Sequence, residues 1–268
     1  AMACVRSKGR LRDTSTLMST KKPGPARRTR TWLALKTPST FKCHKAKLEI
    51  LISQKSKISG NLENSKNFQS KENPKFAAIK DYIEKIDSKE FPHHIFTYIN
   101  EDESTKQRAS QIKFKHLKIE TKSKNNFACK LANLALNLAA TNKERHQKIQ
   151  DFFLINDSTT IAAEIPVYLT NWDAGYYRNQ KGFIFPLNNC TTPITGHIDI
   201  LQIRNGLIHI LDYKPEAEKT NAIEQLTIYA LALSRKLNLP LYCFKAAWFD
   251  ENNYFEFFPL HAVYEKIK

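Results

Sequence analysis

Apolar side chains recur at three- and four-residue intervals in four segments, the spacing that places them on one face of a helix. In the clearest segment they are Phe76, Ile79, Ile83 and Ile86. The pattern predicts a short helix at 46–54, a helix at 74–89, one long or two shorter helices over 127–153, and a helix at 217–237.

Other segments alternate apolar and polar residues with the two-residue period of a strand. They predict a strand at 160–169, a short strand at 183–186, and a hairpin of 241–249 with 254–258, while the polar and aromatic residues 172–181 predict a loop. Because helices and strands are interspersed, the order predicts an α/β fold with a central mixed sheet flanked by helices.

Two β-rich runs flank Asn205-Gly206, a dipeptide typical of tight hairpin turns. If these two residues are the centre of the turn, Arg204 pairs with Leu207 and Asp199 falls directly opposite Asp212. Directly paired side chains are about 5 Å apart at Cβ. Since side chains alternate along a strand, Lys214 shares the face of Asp212.

Two carboxylates in direct opposition destabilise a hairpin unless a cation lies between them. Two Asp side chains suit Mg²⁺ or Mn²⁺, and a neighbouring Lys can hold the attacking water and neutralise charge on a phosphate. The group therefore predicts a site for metal-assisted phosphodiester hydrolysis. The alternative is a pair of ordinary strand-end Asp residues with Lys214 as a salt-bridge partner.

The motif Gly196-x-x-Asp199, then Asp212-x-Lys214, then Gln225-x-x-x-Tyr229 resembles the PD-(D/E)XK nuclease superfamily. The similarity covers about residues 140–250 and is closest to the RecB-type branch. That branch includes the RecB and AddAB nuclease domains, CRISPR-associated four-cysteine nucleases and mitochondrial genome-maintenance exonucleases. The resemblance implies a restriction-endonuclease-like core and cleavage that leaves a 5′ phosphate.

The resemblance also implies roles for individual residues. Asp199 and Asp212 would be metal ligands, Lys214 the catalytic lysine, and Gln225 the helix glutamine that orients the lysine or a phosphate. Tyr229, one turn later on the same helix face, would be a further catalytic residue, with core packing as the alternative. His146 would be a further metal ligand from an upstream helix, and Glu164 a ligand or its support; a surface histidine and an exposed strand charge are the alternatives.

Two features depart from the family pattern. Pro215 follows Lys214 and ends the strand abruptly. The four cysteines of the CRISPR-associated members are absent, which argues against that subgroup. No phosphate-binding loop of the helicase type is present, so we expect any helicase or other DNA-processing partner to be a separate chain.

The chain has 268 residues and a formal net charge of +16, which indicates a polyanionic partner such as DNA. Residues 1–75 carry 18 Lys and Arg against 4 Asp and Glu, and residues 106–130 carry 8 against 1. We therefore predict a basic, flexible N-terminal arm over 1–75 and a nuclease domain over 76–268, with a helical lead-in at 76–153 and a catalytic core at 154–268. The residues predicted to contact nucleic acid are Arg27, Arg28, Arg30, Lys113, Lys115, Lys118, Trp172 and Tyr176.

Five scattered cysteines without a Cys-x-x-Cys pair, and no apolar secretory segment, favour a reducing intracellular location in the cytoplasm or nucleoid. Import into an organelle is the alternative, because the start is rich in Arg, Ser and Thr. No run of 18 apolar residues occurs, so we expect no membrane-spanning helix.

These features together predict a Mg²⁺- or Mn²⁺-dependent deoxyribonuclease that acts on single strands or free ends. Aromatic residues at 172–177 would stack on unpaired bases. The alternatives are a sequence-specific restriction-type endonuclease and a nucleic-acid-binding protein that cleaves nothing.

Overall fold

An eight-stranded mixed sheet forms the centre of the described part of the chain. The computed structural model describes residues 41–53, 74–97, 107–119, 121–123, 126–139, 141, 144–183 and 192–264. Within these ranges the strands are β1 (Lys42–Cys43), β2 (Gln107–Arg108), β3 (Lys122–Ser123), β4 (Thr160–Leu169), β5 (Ile194–Arg204), β6 (Leu207–Tyr213), β7 (Phe244–Phe249) and β8 (Tyr254–Phe257).

The strand order is β1-β4-β5-β6-β7-β8-β3, with β2 added beside the start of β5. The β6–β7 and β2–β5 pairs are parallel and the others antiparallel. The helices are α1 (Lys45–Ser53), α2 (Pro74–Ile86), α3 (His94–Thr97), α4 (Phe127–Leu136), α5 (Arg145–Asn156), α6 (Asn171–Lys181), α7 (Ile223–Leu237) and α8 (Pro259–Val263). Within the described ranges, no helix has the length and apolarity needed to cross a membrane.

Helices cover both faces of the sheet. On one face α4 and α5 pack on Leu211 and Phe249, and on the other α7 packs on Ile210 and Phe244. In β6 and β7 the two sets alternate along the strand, so each strand contributes side chains to both cores. The predicted α/β fold with a central mixed sheet flanked by helices is therefore confirmed.

Most predicted elements are present, with altered ends. The segment 127–153 forms two helices, and α7 begins at Ile223 because a 3-10 turn occupies Ala217–Lys219. The central hairpin and the strand at 160–169 are as predicted. The second hairpin forms over a shorter range, because a 3-10 turn occupies Leu241–Cys243 and its first strand begins at Phe244. The strand predicted at 183–186 lies mostly outside the described residues.

The predicted flexible arm does not extend over residues 41–53. Strand β1 pairs with β4, and Leu48 and Ile52 of α1 are buried in the core shared with α7. Burial of the apolar face of α1 offsets the entropy of ordering this segment. The rest of the arm prediction, residues 1–40 and 54–73, lies outside the described residues.

The loop predicted at 172–181 is wrong, because these residues form α6. Thr170 caps the helix in a reciprocal capping box with Asp173, and Gly182 ends it with φ 64° in the left-handed region. Asp173 is also buried against α7, where its carboxylate lies 3.0 Å from Lys236 Nζ and 3.3 Å from Arg235 Nε. The capping box and these ion pairs stabilise a helix that composition alone does not favour.

We expect Asp173→Asn to lower the free energy of unfolding at pH 7 by about 1–2 kcal/mol. Burial raises the pKa of Asp173, but hydrogen bonds from Thr170 and the Lys236 charge outweigh it and lower the pKa below its ordinary value. A carboxylate with a lowered folded-state pKa stabilises the fold above its unfolded pKa, and this stabilisation is lost as pH falls through the folded value. Urea unfolding at pH 7 and at pH 3 measures the difference, which should shrink at the lower pH.

Asp81→Asn is the matched control, because Asp81 is exposed on α2. Its unfolding free energy should stay within about 0.5 kcal/mol of wild type. An equal loss in both variants would contradict the role given to Asp173.

Candidate active site

The backbone ladder between β5 and β6 ends at a fork. Their last backbone pair is Ile200 with Leu211, and the next position in the same register places Asp199 opposite Asp212, as the sequence predicts. Beyond it, β6 continues beside β7 and β5 beside β4. The N–H of Tyr213 donates to Asp199 Oδ2 at 3.1 Å. A side chain therefore replaces the backbone acceptor where the strands separate.

Glu164 extends this pair into a row of three carboxylates across β4, β5 and β6. Ala163 pairs with Ile200 and Ile165 with Ile198, which places Glu164 directly opposite Asp199. Its φ is 54°, a left-handed conformation that costs a non-glycine residue about 1–3 kcal/mol. The other described non-glycine residues with positive φ lie outside strands. Strain of this kind in a strand interior is typical of functional sites.

Helix α5 presents two polar side chains to the row. His146 Nδ1 is 3.6 Å from Asp199 Oδ2, and one turn later Gln150 Nε2 donates to Glu164 Oε1 at 2.5 Å. Residues four apart share a helix face, so a single helix contacts two of the three carboxylates. The rings of His146 and Tyr213 meet edge to face, with centroids 5.1 Å apart. Sequence reasoning found His146 but missed Gln150, although the four-residue spacing pointed to it.

Lys214 lies against the most buried of the carboxylates. Its Nζ is 2.8 Å from Asp212 Oδ2, and Asp212 is 3% exposed. Burial and the Asp199 carboxylate raise the pKa of Asp212 well above its ordinary value, against the opposing charge of Lys214. Asp199 is also buried, but His146 and a hydrogen bond from Asp212 lower its pKa. Of the two, Asp212 is therefore the carboxylate that takes up a proton more readily.

Glu164 responds to the same neighbours. Burial and the Asp199 charge raise the pKa of Glu164, while the Gln150 hydrogen bond and His146 oppose the rise. Three carboxylates held this closely repel one another, and a cation between them would relieve the repulsion.

Gly196 and Tyr229 form the floor beside the row. A Cβ placed on Gly196 would lie 2.2 Å from Tyr229 Cε1, so the ring occupies the space that any other residue would need. Burial, followed by the Asp212 charge, raises the pKa of Tyr229. Gln225 Nε2 donates a hydrogen bond to the Tyr229 hydroxyl at 3.0 Å. The structure therefore places the Gln225 amide against Tyr229, and describes no hydrogen bond from it to Lys214. Tyr229 is thus buried in the core beside the carboxylates, and its catalytic role stays a prediction.

The chain after Lys214 is held by two residues that the motif search missed. Asp250 accepts a hydrogen bond from the Ala217 N–H at 2.7 Å, and Trp248 Nε1 donates to the Ala217 carbonyl at 3.0 Å. Both lie at the end of β7, next to β6, so they fix the loop that Pro215 begins. These long-range contacts have no local sequence signal.

The donor set suits a hard divalent cation. His146, Glu164, Asp199 and Asp212 supply three carboxylates and one imidazole, and Asp212 Oδ2 is buried without a well-directed hydrogen bond despite its contact with Lys214. Among the described residues, no three His, Cys, Asp or Glu side chains converge with ready-made metal geometry. The residues therefore fit a divalent cation by the type of their donor atoms and by their neighbouring positions in the sheet and on α5.

The residues predicted to contact nucleic acid lie in several places. Lys113, Lys115 and Lys118 are exposed, on a segment without helix or strand that keeps Phe114 buried. Lys113 Nζ is 3.6 Å from Glu224 Oε2 on the first turn of α7. Trp172 and Tyr176 are on α6 rather than on a loop. Arg27, Arg28 and Arg30 lie outside the described residues.

Comparison with known protein families, with curated proteins and with solved structures finds no match for this chain. The resemblance to the PD-(D/E)XK superfamily therefore stays a prediction from the sequence motif.

Proposed function

We propose that the protein is a metal-dependent DNA nuclease that hydrolyses phosphodiester bonds. The observation that carries the proposal is the row Glu164–Asp199–Asp212 at the fork of the sheet, with Lys214 against one end. A strained backbone at Glu164 and a buried Asp with a raised pKa have a structural cost that a cation-binding role accounts for.

Each residue has a chemical task in this proposal. Glu164, Asp199, Asp212 and His146 would hold Mg²⁺ or Mn²⁺, which supplies Lewis-acid polarisation of the phosphate and an activated water when bound. Lys214 would orient the nucleophilic water through its ammonium group and neutralise charge that develops on the phosphate oxygens. Gln150 would fix the Glu164 carboxylate, so that its oxygens keep one orientation.

DNA is proposed as the substrate because the exposed Lys113 lies at the start of α7, the helix whose Tyr229 lies beside the carboxylates, and Lys115 and Lys118 are exposed on the same segment. Lys113, Lys115 and Lys118 can bind phosphates without reading sequence. Unpaired or free-ended DNA is the favoured form, and any helicase would be a partner chain.

A digestion time course tests the proposal. The purified full chain is incubated with single- and double-stranded DNA, with free or blocked ends, in Mg²⁺, in Mn²⁺ or in EDTA. We expect metal-dependent cleavage with 5′-phosphate products, and progressive loss from free ends would show exonuclease action. Defined fragments from a closed plasmid would instead support the restriction-type reading. Intact DNA with every metal, despite binding, would leave the non-catalytic reading.

Gln150→Ala should lower metal-dependent cleavage about 10–100-fold, because groups that hold a metal ligand affect metal affinity nearly as much as the ligand does. The loss should appear as a higher Mg²⁺ concentration for half-maximal rate, with the KM for DNA little changed. Titration of the cleavage rate with Mg²⁺ measures it.

Gln147→Ala on the exposed side of α5 is the control, and Gln150→Glu tests whether a second acceptor beside Glu164 is tolerated. Gln150→Glu should be at least as impaired as Gln150→Ala, since it replaces a donor by a carboxylate. An unchanged Mg²⁺ dependence in Gln150→Ala would remove this residue from the site.

A further inference from the structure

A cavity lies between α6 and the C-terminal end of α7, on residues that the carboxylate site does not use. Its volume is about 280 Å³, and its lining includes Tyr176, Lys181, Phe183, Arg235, Leu239 and Tyr242. Small-molecule sites usually enclose roughly 300–1,000 Å³. The cavity therefore suits a ligand near the lower end of that range.

Cations and aromatic faces meet in this cavity. The Arg235 guanidinium carbon is 4.3 Å from the centre of the Tyr176 ring, and Lys181 Nζ is 5.6 Å from it. Within the described part of the chain, the cavity is lined by two cations, Lys181 and Arg235, and by no carboxylate. Asp173 pairs with Arg235, and no ion pair is described for Lys181, so positive charge is left for an anion.

One exposed aromatic side chain lines the cavity, and another, outside its lining, lies on α6. Tyr242 lines the cavity and is 65% exposed, and Trp172 is 90% exposed one helical turn before Tyr176, on the same face of α6. Proteins hold unpaired nucleotides with aromatic rings, which stack on the base, and with Lys or Arg side chains, which bind the phosphate. Both kinds of side chain are present here.

We propose that this cavity, with Tyr176 and Tyr242 on its walls and Lys181 and Arg235 at its edge, binds one unpaired nucleotide. This proposal rests on the proposed function in one respect, which is that the nucleotide comes from nucleic acid. Arg235 follows Tyr229 by six residues on α7, about 9 Å along the helix axis, so both sites lie on one helix. The source is either a nucleotide within a strand or a free mononucleotide.

Measurements of nucleotide binding under conditions that prevent cleavage test the proposed role of this cavity. Fluorescence anisotropy in EDTA measures the affinity of the full chain for labelled decathymidylate, for an abasic oligomer of equal charge, and for competing dTMP. Tyr242→Ala and Lys181→Gln each change an exposed residue, and Lys148→Gln, exposed on α5, removes one charge elsewhere.

We expect Tyr242→Ala and Lys181→Gln to weaken decathymidylate binding at least about fivefold, and Lys148→Gln less than about twofold. Tyr242→Ala should leave the abasic oligomer unaffected. Competition by dTMP that depends on Tyr242 shows that a free mononucleotide suffices, and its absence assigns the cavity to strands; either result supports the nucleotide site.

Losses no greater than that of Lys148→Gln, with folding unchanged by circular dichroism, would overturn the proposal. So would equal binding of the abasic oligomer and decathymidylate. Because EDTA excludes cleavage, these outcomes are independent of the digestion time course, and a protein that binds here but never cleaves would sink only the nuclease proposal.

Discussion

Asp212→Asn should abolish cleavage while leaving the fold as stable as in the wild type. The substitution removes a carboxylate that would hold the metal, and the loss of one such group costs about 10²–10³-fold or more in kcat/KM. The same carboxylate is buried opposite Asp199 with a raised pKa, so a neutral side chain of equal shape relieves repulsion. We expect the free energy of unfolding in EDTA at pH 7 to stay within about 1 kcal/mol of wild type.

Lys214→Met provides the contrast. It removes the cation 2.8 Å from Asp212 and leaves the buried carboxylates without it. Breaking a buried pair from one side costs about 3–5 kcal/mol, and less here because the Lys214 side chain is 25% exposed. We therefore expect a loss of about 1–3 kcal/mol in unfolding free energy, together with loss of cleavage.

The double variant Asp212→Asn with Lys214→Met separates the two effects. It should regain most of the stability that Lys214→Met loses, and none of the cleavage. Urea unfolding and single-turnover digestion of the same protein samples measure both quantities. If Asp212→Asn retained wild-type cleavage, the carboxylate row would have no part in the chemistry, whatever its stability.

The register of the central hairpin could be predicted because it depends on a local signal. A two-residue turn at Asn205-Gly206 fixes every pair along β5 and β6, including the opposition of Asp199 and Asp212. The third carboxylate could be predicted only as a residue on a neighbouring strand. That Glu164 lies opposite Asp199, with a left-handed backbone, depends on β4 pairing with β5, which leaves no local pattern.

The error at α6 has a different physical origin. The loop prediction rests on the polar and aromatic composition of the segment, whereas the Thr170-x-x-Asp173 capping box, which is present in the sequence, indicates a helix start. Gly175 lowers the helix propensity of the same segment. The contacts of Asp173 with α7 lie more than 60 residues away in the chain. Tertiary contacts of this length decide between helix and loop where local signals conflict.

The first strand within the described residues shows the same limit. Lys42 and Cys43 sit in a basic, polar stretch, yet they pair with β4, and α1 then buries Leu48 and Ile52. The net charge of residues 1–75 is an average over the whole segment. It gives no sign of the short strand β1 or of the apolar face of α1 within that segment. A domain boundary predicted from charge alone is therefore placed too late in the chain, after a short edge strand that belongs to the sheet.

Gly196→Ala should destabilise the protein by about 1–3 kcal/mol, although alanine in a strand is normally better than glycine. The new Cβ would lie 2.2 Å from Tyr229 Cε1, and the buried ring must move to admit it. Because Gly196 lies three residues before Asp199 on β5, a displaced strand or ring also shifts the carboxylate row. We expect cleavage to fall with stability.

A double-mutant cycle with Tyr229→Ala isolates the cause. Tyr229→Ala alone should cost about 3–5 kcal/mol, since it leaves a cavity where a buried ring was. In that background the clash no longer exists, so Gly196→Ala should cost less than about 0.5 kcal/mol or become stabilising by the ordinary preference for alanine. Urea unfolding of the four proteins gives the coupling. If the losses of unfolding free energy in the two single variants simply add in the double variant, the steric clash is not the cause. Gly196 would then be required for its backbone conformation, and not because it leaves room for the Tyr229 ring.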